Sequence, residues 1–328
     1  MTWPFQRIPV SVSLPSAPTL LASDIAPLIP TPPPVDYYWL LGDDNPQLLD
    51  QLTGAPLRRT INFTKPGTMN GYTVAPNITI SSGGGSGATA QAVIDGAGVL
   101  QKVYLTDPGI GYTSSPTATV VPIGAGTAGN LTVQIGDAPT LSAGFITIPT
   151  SSNNHLNGLV SPQADAASQT MIAILRPQGG AGVGQILFGA LTENATYGPG
   201  GDALYYYVNG WRMQTAPGAY AAVTPSGISL NEWTFVAVTQ DNATDTRRVS
   251  FGRNGQLQHF VTPSTHKNAA SPARKVALGN ANYNASGFYT SLDAALFQVK
   301  AGALSVDDLT DIFYQESSVV AQRGVIIP

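Results

Sequence analysis

The sequence predicts an all-β protein built from many short strands, and three observations carry that expectation. The 328 residues include 35 glycines and 26 prolines, the two poorest helix formers, so the chain must turn often. The stretches between these breaks are rich in Val, Ile, Thr and Tyr, which fit a pleated sheet. Trp233, Phe235 and Ala237 alternate with Thr234, Val236 and Val238, the period of two expected of a strand with a buried face.

Composition narrows the function classes. At 43% hydrophobic the chain can bury a core, and its 10% charged residues fall far below the roughly 25% of an ordinary soluble domain. A net charge of −4 with no basic stripe argues against nucleic acid as a partner. The absence of cysteine excludes disulfides and thiolate metal sites. No apolar run reaches the roughly 18 residues of a membrane span. Met1 to Ser13 lacks the apolar core and cleavage site of a secretory leader, so synthesis and retention in a cytoplasm are expected.

Residues 1–35 read as an extended arm. Pro4, Pro9, Pro15, Pro18, Pro27 and Pro30 break any helix, and Pro32 to Pro34 extend Pro30-Thr31 into a polyproline II run. The arm carries Trp3, Phe5, Ile8, Val10, Leu20, Leu21, Leu28 and Ile29, whereas disordered tails are poor in large apolar residues. Docking on a neighbouring subunit is therefore favoured over a free tail, with Trp3, Phe5 and Ile8 as anchors. Residues 36–62 begin the globular part with the apolar run Tyr37 to Leu41, a turn at Asp43 to Pro46 and a break at Gly54-Ala55-Pro56.

Residues 63–137 contain a repeat. Pro66-Gly67 leads to Gly71-Tyr72-Thr73-Val74-Ala75-Pro76 and a strand from Asn77 to Ile80. Pro108-Gly109 leads to Gly111-Tyr112-Thr113-Ser114-Ser115-Pro116 and a strand from Thr117 to Val121. Repeated punctuation implies a repeated supersecondary unit, with glycine supplying the left-handed turn and tyrosine packing on the sheet. A further strand is expected from Val99 to Thr106.

Residues 138–328 form the largest module. Expected strands are Phe145 to Ile148, Met171 to Leu175, Gln185 to Phe188, Ala203 to Val208, Trp233 to Thr239, Val249 to Phe251, Val276 to Leu278 and Leu292 to Val299. Asn254-Gly255 signals a hairpin. One helix is expected, Val306 to Tyr314, capped by Ser305 with Asp308 near its positive end and Leu309, Ile312 and Phe313 facing the sheets.

Two resemblances emerge from these motifs. The Gly-Tyr-Thr segment, Pro108 to Pro116 above all, resembles a small β-repeat module of phage tail and other virion proteins. The series Trp233, Val236, Thr239, Asp241; Arg248, Phe251, Asn254, Gly255; Leu278, Gly279; Phe288, Leu292, Asp293, Ala294, Leu296, Leu304, Ser305; Phe313, Tyr314 is similar to a laminin G-like or concanavalin A-like lectin domain. The resemblance implies a concanavalin A-like jelly-roll β-sandwich over 138–328. Tyr37 to Gly54 then looks like its first strand, and the repeat module like an insertion in an early loop, which loop-closure entropy tolerates cheaply. Two domains in series is the alternative.

Catalytic signatures are missing. The three glutamates, Glu193, Glu232 and Glu316, are far apart, and no strand shows the alternating Glu and Asp of sandwich-fold glycosidases. His155, His259 and His266 form no zinc motif, and no Gly-x-Ser-x-Gly elbow occurs. Gly124-x-Gly126-x-x-Gly129 matches a dinucleotide fingerprint only as a string, because Asn130 to Ile135 reads as a strand. An enzyme is not expected, and no cofactor is implied beyond calcium, the usual ion of the family the sandwich resembles. Asp241, Asn242 and Asp245 are the richest oxygen cluster for it, and hairpin-turn chemistry accounts for the same residues.

Glycan recognition needs flat aromatic faces beside amides. Tyr205, Tyr207, Trp211 and Tyr220 are one candidate group, and Asn280, Asn282 and Tyr283 a second. Tyr205 and Tyr207 share a strand face, and packing within the sheet is the competing reading. The expected function is a phage tail-fibre or receptor-binding component that recognises host-surface polysaccharide. A capsid decoration or head-fibre protein is the alternative. Other virion proteins, met through the arm, and further copies of the chain are the expected partners, a trimer by analogy with such appendages.

Overall fold

The computed structural model describes residues 34–152, 155–179, 184–190, 203–207, 210–216, 219–263, 274–281 and 290–328. The chain opens with β1 (Tyr37–Leu40) and β2 (Arg58–Arg59). Six strands follow: β3 (Ile61–Thr64), β4 (Asn77–Ser81), β5 (Ser86–Ile94), β6 (Leu100–Ile110), β7 (Thr117–Val121) and β8 (Gly129–Ile135). Next come β9 (Thr140–Ser142), β10 (Phe145–Ile148), β11 (Gly158–Ala164), β12 (Gln169–Pro177), β13 (Gln185–Gly189), β14 (Ala203–Tyr207), β15 (Gly210–Ala216) and β16 (Ala219–Val223). The last strands are β17 (Thr234–Asp241), β18 (Thr246–Arg253), β19 (Gln256–Pro263), β20 (Lys275–Gly279) and β21 (Leu292–Ala301), before helix α1 (Val306–Ala321).

Two antiparallel sheets pack face to face as a β-sandwich. One runs β19-β18-β17-β12-β21-β10-β9 with β1 also paired to β21, and the other β16-β15-β14-β13-β20-β11-β2. Their inner faces enclose Trp39, Met171, Phe188, Leu204, Trp211, Phe251, Leu278 and Phe297. Trp39 stacks on Phe297 with ring centroids 5.7 Å apart, so a residue near the start of the described chain packs on one near its end. The Asn254-Gly255 pair joins β18 to β19 with φ of 52° and 66°, the left-handed angles a two-residue hairpin demands.

The outer face of the larger sheet is apolar as well, through Ile172, Ile174, Phe235, Ala237 and Leu296. Helix α1 covers it with Leu309, Ile312, Phe313 and Val320. Ser305 and Asp308 close a reciprocal capping box at its start. The helix extends seven residues past the expected stop at Tyr314, because the polar-looking run Gln315 to Ser318 hides a buried Glu316 ahead of Val319 and Val320. Gly252 lets α1 approach: a Cβ there would lie 2.4 Å from the Phe313 ring.

The segment from β3 to β8 forms a four-stranded sheet, β3-β8-β7-β4, beside a two-stranded ribbon, β5-β6. The strands after the two Gly-Tyr-Thr turns, β4 and β7, pair with each other. Gly71 and Gly111 take φ of 83° and 77°. Each tyrosine lies on a glycine, since a Cβ would meet Tyr72 2.4 Å from Gly126 and Tyr112 2.5 Å from Gly85. Pro108-Gly109, expected as a turn, instead lies within β6, opposite Ala88 and the backbone of Ser86.

This module packs on one end of the outer face of the smaller sheet. Ile61 and Leu105 meet Val160 and Ala277 there. Asp107 of β6 accepts from Lys275 of β20 and from Arg58 of β2. Arg59 donates to the carbonyls of Tyr112 and Gly136, and Thr60 to that of Ala281 at 3.0 Å. The junction therefore combines apolar burial with charge-assisted hydrogen bonds, which fix orientation as well as attachment.

Candidate functional site

The opposite end of that outer face, β14 to β16, carries an aromatic and cationic cluster. Strand alternation sends Leu204 and Tyr206 inward and Tyr205 and Tyr207 outward. On β15 the same alternation buries Trp211 and Met213 and turns Arg212 out, directly opposite Tyr205. Tyr220 of β16 stands diagonally across from Arg212 and is 48% exposed. The Arg212 guanidinium lies 4.2 Å from the Tyr220 ring centroid and 5.0 Å from that of Tyr207. Tyr205 meets Tyr220 edge-to-face at 6.3 Å. Cation–π contacts of this kind are worth about 0.5–1 kcal/mol each at exposed sites, enough to order the four side chains as a group.

Three of the four residues of the first expected group thus meet, Tyr205, Tyr207 and Tyr220. Trp211 does not join them, because it points into the core and packs on Phe251 at 5.0 Å. Arg212 takes its place. Sequence reasoning passed over it by weighing rings alone. The signal was present in Trp211-Arg212-Met213, where a charge between two large apolar residues marks the outward position of a strand.

Of the second expected group, Asn280 alone falls within the described residues. Asn280 is buried just past the end of β20, on the module side of the sheet, with β13 between β20 and β14. Asn282 and Tyr283 lie outside the described residues, as do the expected anchors Trp3, Phe5 and Ile8.

The oxygen cluster expected to suit calcium is a tight turn between β17 and β18. Asp241 Oδ1 accepts from the Ala243 N–H at 2.9 Å, and its Oδ2 accepts from the Thr244 hydroxyl at 2.8 Å. Asn242 Oδ1 accepts from the Gln240 amide at 2.7 Å, and Asp245 turns the chain with φ of 50°. The Thr244 hydroxyl bond leads the effects holding the Asp241 carboxyl below its ordinary range. Asp241 and Asn242 thus accept hydrogen bonds within the turn, the hairpin chemistry that accounts for these residues without an ion. Among the described residues, no group of three or more His, Cys, Asp or Glu side chains is placed to hold a metal ion.

The remaining polar candidates are used structurally. Glu232 pairs with Arg253 at the rim. Glu316 projects from the buried face of α1, where its Oε2 accepts from the Tyr38 hydroxyl at 2.7 Å. His155 faces Asp137 at 3.5 Å, and His259 Nδ1 lies 2.8 Å from the fully buried Ser250 hydroxyl. Gly129 opens strand β8, so no helix N-terminus follows the Gly124 to Gly129 string. Glu193 and His266 lie outside the described residues.

No family model matches the chain, and no curated protein matches it. Solved structures with partial likeness include the binding domain of botulinum neurotoxin DC in complex with SialylT (13% identity, 62% of this chain and 50% of that one, TM-score 0.41). The receptor-binding domain of the botulinum neurotoxin C/D mosaic serotype is another (13% identity, 55% and 45%, TM-score 0.39). A third is the serotype D ligand-binding domain in complex with N-acetylneuraminic acid (14% identity, 59% and 49%, TM-score 0.38). The chain spans about half the length of each of these structures, and at these scores the likeness bears on neither ligand nor mechanism.

Proposed function

We propose that this chain is a non-enzymatic recognition protein that holds a surface saccharide against Tyr207 and Tyr220 at the β14-to-β16 end of its smaller sheet, with the buried Tyr205 ring backing them. The observation that carries the reading is the division of that sheet's outer face. The module occupies the β2-β11-β20 end, while at the β14-to-β16 end Tyr220 is 48% exposed, Tyr207 half-buried and Tyr205 buried beside them. Tyrosine suits this role because it offers a flat apolar face and a hydroxyl at little conformational cost. A non-catalytic role is supported by Glu232 and Glu316, one ion-paired with Arg253 and the other on the buried face of α1 and bonded to Tyr38.

Placement in a phage virion, as a tail-fibre or receptor-binding component anchored by residues 1–35, rests on the resemblance of Pro108 to Pro116 to virion repeat modules. The test is retention of the full chain on an array of bacterial surface polysaccharides, alongside Tyr207→Ala and Tyr220→Ala. The expected result is saccharide retention by the parent protein and a several-fold loss in each variant, the size of one aromatic contact. If no saccharide is retained and labelling places the protein on capsids, the recognition reading fails and a head-decoration role replaces it.

A further inference from the structure

Resting on the saccharide reading above, we infer that the ligand is acidic and that Arg212 receives its carboxylate, in the plane of the guanidinium between Tyr207 and Tyr220. Arg212 is half-buried, and the two rings lie near its carbon at 4.2 and 5.0 Å. Stacking of this kind takes up the guanidinium face and leaves the edge, where the N–H donors point, for an acceptor. Among the described residues, Arg212 makes no ion pair and no hydrogen bond through its side chain.

The contrast with other arginines is informative. Arg176 also lies over two rings, Trp233 at 4.9 Å and Phe145 at 5.5 Å, but its edge is spent on Asp293 through two hydrogen bonds. Arg253 and Arg323 are likewise paired, with Glu232 and Asp44. The fold therefore supplies carboxylates to Arg176, Arg253 and Arg323 and, among the described residues, none to Arg212. A planar fork held rigidly by rings, with its edge unspent, is the protein half of a bidentate carboxylate pair. The directly opposed residue on β16 is Ala222, whose small side chain leaves room beside the guanidinium. The tyrosine faces would take the sugar ring and Arg212 its acidic substituent.

The test pairs a ligand change with a protein change. Uronic-acid and sialic-acid oligosaccharides are titrated by calorimetry into the full chain, each as the free acid and as its carboxyl methyl ester, with sulfated neutral oligosaccharides as a further arm. The proteins are the parent, Arg212→Gln and Arg212→Lys, with thermal unfolding showing that each variant is folded. Esterification is expected to weaken binding to the parent by about 10- to 100-fold, the scale of a charged hydrogen-bonded pair. Arg212→Gln should bind acid and ester alike. Arg212→Lys should recover part of the preference, since it keeps the charge and loses the fork.

Equal binding of acid and ester by the parent would overturn the carboxylate assignment while leaving saccharide recognition intact. Preference for the sulfated arm alone would also overturn it. Failure to bind any saccharide would remove both this inference and the reading beneath it. Should Arg212→Gln fail to fold, the acid-to-ester ratio of the parent and of Arg212→Lys still decides the matter.

Discussion

Replacing Glu316 by glutamine should stabilise the fold in alkaline solution and leave it nearly unchanged in acid. Glu316 is fully buried where α1 meets β1, and the Tyr38 hydroxyl donates to it at 2.7 Å. Burial raises its carboxyl from 4.5 to about 7, with the hydrogen bond from the Tyr38 hydroxyl pulling partly the other way. A group whose pKa is higher folded than unfolded binds more protons in the folded state between the two values. Its stabilisation is full below about pH 4.5 and is lost as pH rises through about 7. A shift from 4.5 to about 7 corresponds to roughly 3 kcal/mol. Glutamine keeps an acceptor for Tyr38 and carries no charge, so Glu316→Gln should abolish this slope. Urea unfolding followed by tryptophan fluorescence at several pH values between 5 and 8.5 measures it. Parallel pH profiles for parent and variant, or a variant less stable at the alkaline end, would refute the argument.

Two further perturbations test the packing. Gly252→Ala places a methyl group against the Phe313 ring and the Phe235 Cβ, and should destabilise the fold by about 1–3 kcal/mol by prying α1 from the sheet, read as a lower urea midpoint. Ser305→Ala removes the capping box from α1 and should cost about 1 kcal/mol by the same measurement, with an unchanged midpoint arguing that the first turn contributes nothing.

Much of the architecture was legible in the sequence because one face of each central strand is apolar and turn residues punctuate the rest. Phe145 to Ile148 coincides with β10, and the runs at Met171, Gln185, Val249, Val276 and Leu292 all fall inside observed strands. Strands lacking that pattern were missed. Most of β5 is small or polar, being Ser86-Gly87-Ala88-Thr89-Ala90-Gln91 before Ala92, and it exists because β6 pairs with it from Ser86 to Ile94 across two register shifts. β11 begins Gly158-Leu159-Val160-Ser161-Pro162, where proline and glycine suggest a break; the strand persists because it pairs with β20 on both sides of a register shift between Val160 and Ala164 that takes up Pro162. The extent of α1 was hidden by Glu316, since a buried carboxyl reads as solvent-facing until Tyr38 is placed beside it. At the candidate site, alternation along β14 told which tyrosines share a face. It could not tell that Tyr220 arrives diagonally from β16, because strand register is set by the turns between β14, β15 and β16.

The most direct test of the central claim, that the β14-to-β16 end of the smaller sheet is the ligand face, is an amide-exchange footprint of the full chain with and without the saccharide it retains. Protection concentrated in residues 203–207, 210–216 and 219–223 is the result this account predicts. Protection confined to the exposed apolar tip of the module around Val74, Val121 and Ile123, with β14 to β16 unchanged, would contradict it.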